Sequence, residues 1–201
     1  PGIEARTVSA TPARRFSKAN RVDCRNDSSG PVILLILPME KPEAPMPARR
    51  ADARIGLTTQ SMLDFSDDLA RNPRVRLIER WRLEKKDPSA ALSEPVKPIV
   101  YWIDRNVPEK YRGAVRDGIL EWNKAFEKVG IRNALAVRWQ DDGRDDFDPE
   151  DINYCTFRWI TTPMTFAMSN LRSNPITGEM IDGDVIFDAS WIRFWKQNHA
   201  Y

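Results

Sequence analysis

Histidine is almost absent from this chain: one stands in 201 residues, His199. Ser- and Cys-based hydrolysis draws on an imidazole base, and zinc chemistry of the H-E-x-x-H kind needs two imidazoles one helical turn apart. One histidine cannot make the second, and the first would have to draw on His199, third from the end of the sequence and read as an exposed side chain. Cysteine is nearly as scarce, with only Cys24 and Cys155. No C-x-x-C pair exists, which excludes a zinc site built on paired thiolates. Two buried thiols and a single bridge both stay open for this pair. The nine glycines are scattered, so no glycine-rich loop is present to cradle phosphates. The longest apolar run, Val32 to Leu37, is far short of the ~20 residues that span a bilayer. Lysine and arginine (31) nearly balance aspartate and glutamate (29), a net charge of +2. That net charge is too small to imply nucleic acid or an anionic membrane as a partner.

What is present is an ordinary globular composition, 41% hydrophobic and 30% charged. Seven tryptophans and eight phenylalanines supply the apolar bulk of a core. The length suits one large domain or two small ones. The start, Pro-Gly-Ile without Met, and the end, KQNHAY, read as cuts inside a longer protein.

Residues 1 to about 30 are polar and basic and read as a solvated face or a frayed end. Val32–Leu37 reads as a strand. Four prolines between Pro38 and Pro47 forbid helix and predict an extended linker. Ile55, Leu57 and Thr59 alternate around Gly56 and predict a short strand. From Arg74 to Glu84, Val75, Leu77, Trp81 and Leu83 share one face of a half-buried antiparallel strand. Lys85–Pro98 is a loop. Ile99–Ile103 is β-branched and aromatic, as a central strand should be. One long helix is predicted from Pro108 to Val129, with Tyr111, Val115, Ile119, Trp122, Phe126 and Val129 on its apolar face. Gly130 suits the left-handed position beyond its end. Ala134–Trp139 is the next strand, giving a parallel strand–helix–strand crossover. Cys155–Thr161, an extended Thr165–Leu171, a turn at Asn174–Gly178, a strand Met180–Phe187 and a helix from Ser190 follow. Trp81, Trp102, Trp122, Trp139 and Trp159 fall within these elements and read as core. The fold class is α+β: a mixed twisted sheet of about five strands with one long helix packed on it, preceded by an extended β-rich segment.

Two acidic groups bear on metals. Asp141–Asp151 lacks the spacing of an EF-hand and reads as a solvated loop, with calcium as the second reading. Asp182, Asp184 and Asp188 lie at even spacing on one strand and share a face. Such a face either binds a hard cation such as calcium or accepts hydrogen bonds that cap neighbouring loops. His199 reads as an exposed side chain.

Five segments in order carry a family resemblance: Ala51–Gly56 (ADARIG), Arg80–Pro88 (RWRLEKKDP), Glu94–Asp104 (EPVKPIVYWID), Gly118–Gly130 (GILEWNKAFEKVG) and Asn174–Met180 (NPITGEM). From about Pro38 to Trp195 the chain resembles a bacterial family of large zinc-dependent metallopeptidases of metzincin type, with long N-terminal regions. The resemblance implies a tail of the N-terminal region at 1–50, a connector at 51–96 and the upper half of a catalytic domain at 97–201. It implies hydrolysis of peptide bonds by metal-activated water in the parent protein, and a periplasmic or secreted location. The zinc ligands of such enzymes, an H-E-x-x-H helix and a third histidine, match no position here, so this segment is expected to be inactive alone. Ile186 stands where some relatives carry a histidine for a structural zinc. The resemblance assigns substrate pairing to an edge strand, at Phe166, Ala167, Met168 and Ser169. The implied partners are a peptide or protein substrate and the rest of the parent chain. A sheet face left without its helix is expected to expose an apolar patch through which two copies can pair. The alternative is a non-catalytic module that binds peptides or partners through strand edges. An H-E-x-x-H in the reading frame past Tyr201 separates the two.

Overall fold

A computed structural model describes residues 20–26, 29–36, 44–140, 149 and 151–199, the first two stretches as backbone only. The chain forms two compact units, 1–42 and 43–201.

In the first unit, β1 (Asn20–Asn26) pairs antiparallel with β2 (Ser29–Ile36), Cys24 opposite Val32, with an irregularity between Cys24 and Asn26. The β2 strand follows the apolar run. The β1 strand corrects the frayed-end reading for residues 20–26, and residues 1–19 lie outside the described residues. Only Val22 and Cys24 alternate within β1, too short a period to mark a strand among polar neighbours.

The second unit holds a two-stranded ribbon, β3 (Thr59–Leu63) against β4 (Arg74–Ile78), and a five-stranded sheet. The sheet comprises β5 (Ile99–Ile103), β6 (Leu135–Trp139), β7 (Cys155–Ile160), β8 (Ala167–Ser173) and β9 (Met180–Asp188), in the order β6-β5-β7-β9-β8. β6, β5, β7 and β9 run parallel and β8 antiparallel, so the sheet is mixed. The fold is thus the α+β arrangement read from the sequence, with the β5–helix–β6 crossover in place.

The predicted strand at Ile55–Thr59 is displaced. Ile55 and Leu57 are exposed in a turn, and β3 begins at Thr59. The predicted strand Arg74–Glu84 is divided. β4 ends at Ile78, after which Arg80 leaves β3 and joins β9, donating to the Gly178 carbonyl and accepting from the Met180 N–H at 2.9 Å each. Trp81 and Leu83 then pack on the core around Ile99, Leu135 and Cys155.

The long helix is also divided, into α1 (Glu109–Leu120) and α2 (Asn123–Lys128). Between them the bonding tightens to three-residue spacing, with Trp122 bonded to Ile119 and Ala125 to Trp122. Three residues per turn rotates the apolar face. Tyr111, Val115, Ile119 and Phe126 stay on the core, whereas Trp122 (64% exposed) and Val129 turn outward, against the expectation for both. Asn123 fixes the new orientation, accepting the Leu135 N–H at 2.8 Å and donating to its carbonyl at 3.0 Å. The other four predicted core tryptophans are buried or half-buried.

Gly178 closes the turn before β9 at φ +70°, and a Cβ there would collide with the Ile78 carbonyl. Gly178→Ala is expected to cost about 1–3 kcal/mol in urea unfolding. Gly56→Ala, which meets open space, is the control. Equal losses for both would refute the argument.

Candidate edge-strand site

β8 is the outer strand of the sheet, and among the described residues no strand pairs with its far side. Its register on β9 runs from Ala167 opposite Phe187 to Arg172 opposite Asp182, with an irregularity before Ser173. Phe166 sits just ahead of it, its carbonyl accepting the Asp188 N–H at 3.2 Å. Of the residues singled out in the sequence, Ala167, Met168 and Ser169 are exposed on β8, with Asn170, and Phe166 is half-buried. All four therefore lie consecutively on or beside one free edge.

What holds that edge comes from the three aspartates. At the exit of β8, the Arg172 guanidinium lies 3.4 Å from Asp182 and 3.2 Å from Asp184. Asp184 also accepts the Thr156 N–H at 2.9 Å and its hydroxyl at 2.7 Å, which extends the network into β7. Ser173 donates to Glu79 at 2.7 Å. At the entry to β8, Asp188 accepts the Thr162 N–H at 2.9 Å, its hydroxyl at 2.6 Å and the Ser190 N–H at 2.7 Å. Ser190 in turn donates to the Met164 carbonyl at 3.1 Å. Both ends of the outer strand are thus fixed to β9 by buried carboxylates, while the middle, Ala167–Asn170, faces solvent.

The carboxylates differ in character. Asp188 is held down to about 2 by hydrogen bonds from Ser190 and Thr162. Asp182 is fully buried and is pushed up to about 7, first by burial and then by the charge of Asp184, with Arg172 opposing. The neighbouring Cys155 is a free buried thiol, pushed up to about 12 by burial and by Asp182. Burial likewise raises Tyr101. A thiol so protonated and enclosed is not a nucleophile.

These contacts bear on the cation reading of the trio: Asp184 and Asp188 accept from Thr156, Thr162 and Ser190, and the Arg172 guanidinium faces Asp182 and Asp184. Among the described residues, no group of three or more His, Cys, Asp or Glu side chains is disposed to hold a metal ion. His199 lies exposed in the last turn of α3 (Ser190–His199). The acidic loop considered for calcium, apart from Pro149 and Asp151, lies outside the described residues. No described helix is long and apolar enough to cross a membrane.

Residues 34–86 match a family described as Domain of unknown function (DUF5117). The match covers well under half of the chain and ends before the five-stranded sheet. No curated protein and no solved structure matches.

The sequence missed the pairing of Arg172 with Asp182 and Asp184. The signal was available: an arginine just before a turn and two acids just after it face one another when a hairpin closes.

Proposed function

We propose that this chain binds an extended peptide along the free edge of β8, as the cleft wall of a zinc-dependent metallopeptidase whose metal ligands lie on polypeptide outside these 201 residues. The observation that carries the peptide-binding part is an outer strand fixed at both ends and open in the middle. Such an edge recognises a peptide through its backbone, with alternate side chains meeting neighbouring surface. The hydrolytic part rests on the family resemblance. The residues present do not make a zinc cage, and no chemical step is assigned to them.

Successive N–H groups of a strand point to opposite edges. Of Met168→Pro and Ser169→Pro, one therefore removes an outward donor and the other a donor to β9. The first is expected to weaken binding of an extended peptide at least tenfold with the fold retained. The second is expected to lower stability. Peptide titration and urea unfolding of both variants read the two effects. Unchanged peptide affinity in both variants removes β8 from recognition.

The second reading, a non-catalytic peptide-binding module, uses the same edge. Cleavage separates the two. The 201-residue chain with Zn²⁺ is expected to leave a protein substrate intact, and a longer polypeptide from the same gene to cleave it. Zinc-dependent cleavage by the 201-residue chain itself contradicts the division of labour proposed here.

A further inference from the structure

The helix-bearing face of the sheet is only partly covered. Between α1 and α3 lies a groove of about 590 Å³, floored by Phe157, Trp159, Val185 and Phe187 and walled by Ile119 and Trp195, among others. It shares Tyr111, Trp159 and Ile192 with a wider hollow of about 940 Å³, where β7 and β9 end and α1 and α3 begin. The two adjoin at the stacked rings of Tyr111 and Trp159, whose centres are 5.7 Å apart, and at Ile192. The mouth of the wider hollow is lined by Lys110, Arg193 and Lys196 and by no acidic side chain. Among the described residues none of these three cations is in an ion pair. Lys110 lies over the Tyr111 ring, 4.8 Å from its centre.

The position is significant in itself. β5 leads through α1 to β6 on one side, and β7 lies on the other, so the chain reverses direction across the sheet between β5 and β7. Open sheets with parallel strands bind ligands at such a switch, beyond the carboxyl ends of the strands. An apolar groove with polar groups gathered at one end is the usual form of a small-molecule site, and about 590 Å³ falls within the usual range.

We propose that the groove and the adjoining hollow bind the anion of a single-chain amphiphile, an alkyl carboxylate whose tail lies in the groove and whose head sits among Lys110, Arg193 and Lys196. The apolar groove suits a slender tail and the three cations at the adjoining mouth suit one negative head, whereas a two-fold contact between copies over this face would set two like-charged mouths on one surface.

The test is calorimetric titration of the 201-residue chain with octanoate, decanoate and dodecanoate, each below its micellar range, and with decanol. Each added methylene is expected to tighten binding about fourfold. Lys110→Glu/Arg193→Glu/Lys196→Glu is expected to weaken decanoate at least tenfold and leave decanol unchanged. These side chains are exposed, so the variant should fold. Val185→Trp, which fills the floor, is expected to abolish decanoate binding; if it does not fold, the chain-length series and the charge variant decide. Equal affinity for decanoate and decanol, or no dependence on chain length, overturns the proposal. So does self-association that decanoate fails to reverse, which would give the groove to a second copy. Saturable binding of an acidic amphipathic peptide without any of decanoate would give it to a partner protein and overturn it equally.

Discussion

Replacing Arg172 by leucine is expected to destabilise the chain by about 3–5 kcal/mol at pH 8, the usual cost of leaving a buried charge without its partner. The side chain reaches two carboxylates at once, and those of Asp182 and Asp184 are 1% and 7% exposed. Leucine preserves much of the arginine stem but none of its donors, so the loss measures the uncompensated acids. Because Asp182 takes up a proton near pH 7, the penalty should shrink at pH 5, where one of the two carboxyls is already neutral. Adding Asp182→Asn to Arg172→Leu should recover part of the stability at pH 8, since the pair shares one network and its effects are not additive. Urea unfolding at the two pH values reads all of this. A loss that is the same at pH 5 and pH 8 means that the guanidinium acts through packing alone. The same variant should loosen β8 at its exit and weaken peptide binding at Ala167–Ser169, because Arg172 is what fixes that end of the strand to β9.

The elements that proved legible were those whose local signal is also their final environment. Ile99–Ile103 is apolar because it is central in the sheet, and the strand occupies those five residues. Gly130 marks the helix end because the backbone there takes φ +85°, where a side chain would also meet the Ala91 carbonyl. The failures arose where one local pattern serves two environments. The alternation from Val75 to Leu83 continues across the passage from β4 to the five-stranded sheet. A period of two is common to every strand, and it does not name the partner. The helical period from Tyr111 to Val129 likewise gave no sign of the tightening at Trp122, although Gly113 and Gly118 weaken this helix and Asn123 binds the next strand. For the site, the outer position of β8 was expected from the family resemblance and not from a period in the segment itself, where Asn170 and Arg172 also suit an ordinary edge strand blunted by polar side chains. The three aspartates were legible as a shared face. Which hydroxyls they bind was not, because Thr156 and Thr162 reach Asp184 and Asp188 only after β7 and β9 pair, whereas the hairpin itself signals Arg172.

Those aspartates give the chain a stability profile whose sign can be worked out. Asp182, ordinarily at 3.8, is held at about 7 in the folded protein, so between those values the native state keeps a proton that the unfolded chain has released. Its contribution is therefore fully present below about pH 4 and is lost as pH rises through 7. Asp188 behaves oppositely: held at about 2, it contributes above its ordinary 3.8 and loses that contribution as pH falls through 2. Together they place the stability maximum near pH 4, with stability falling from there towards pH 7 as the unfolded chain releases the Asp182 proton that the native state keeps. Asparagine at position 182 is close in shape, neutral at every pH, and keeps an oxygen for Arg172. Asp182→Asn should therefore gain about 2–4 kcal/mol over the unsubstituted chain at pH 8, the upper figure being the full proton-affinity difference and the lower one discounted for solvent screening. At pH 4 the two proteins should be nearly equal. Unfolding free energies measured across that interval decide the matter. A substitution that destabilises equally at both ends would mean that the Asp182 carboxylate is satisfied where it lies, and that Arg172 and Asp184 hold it ionised throughout.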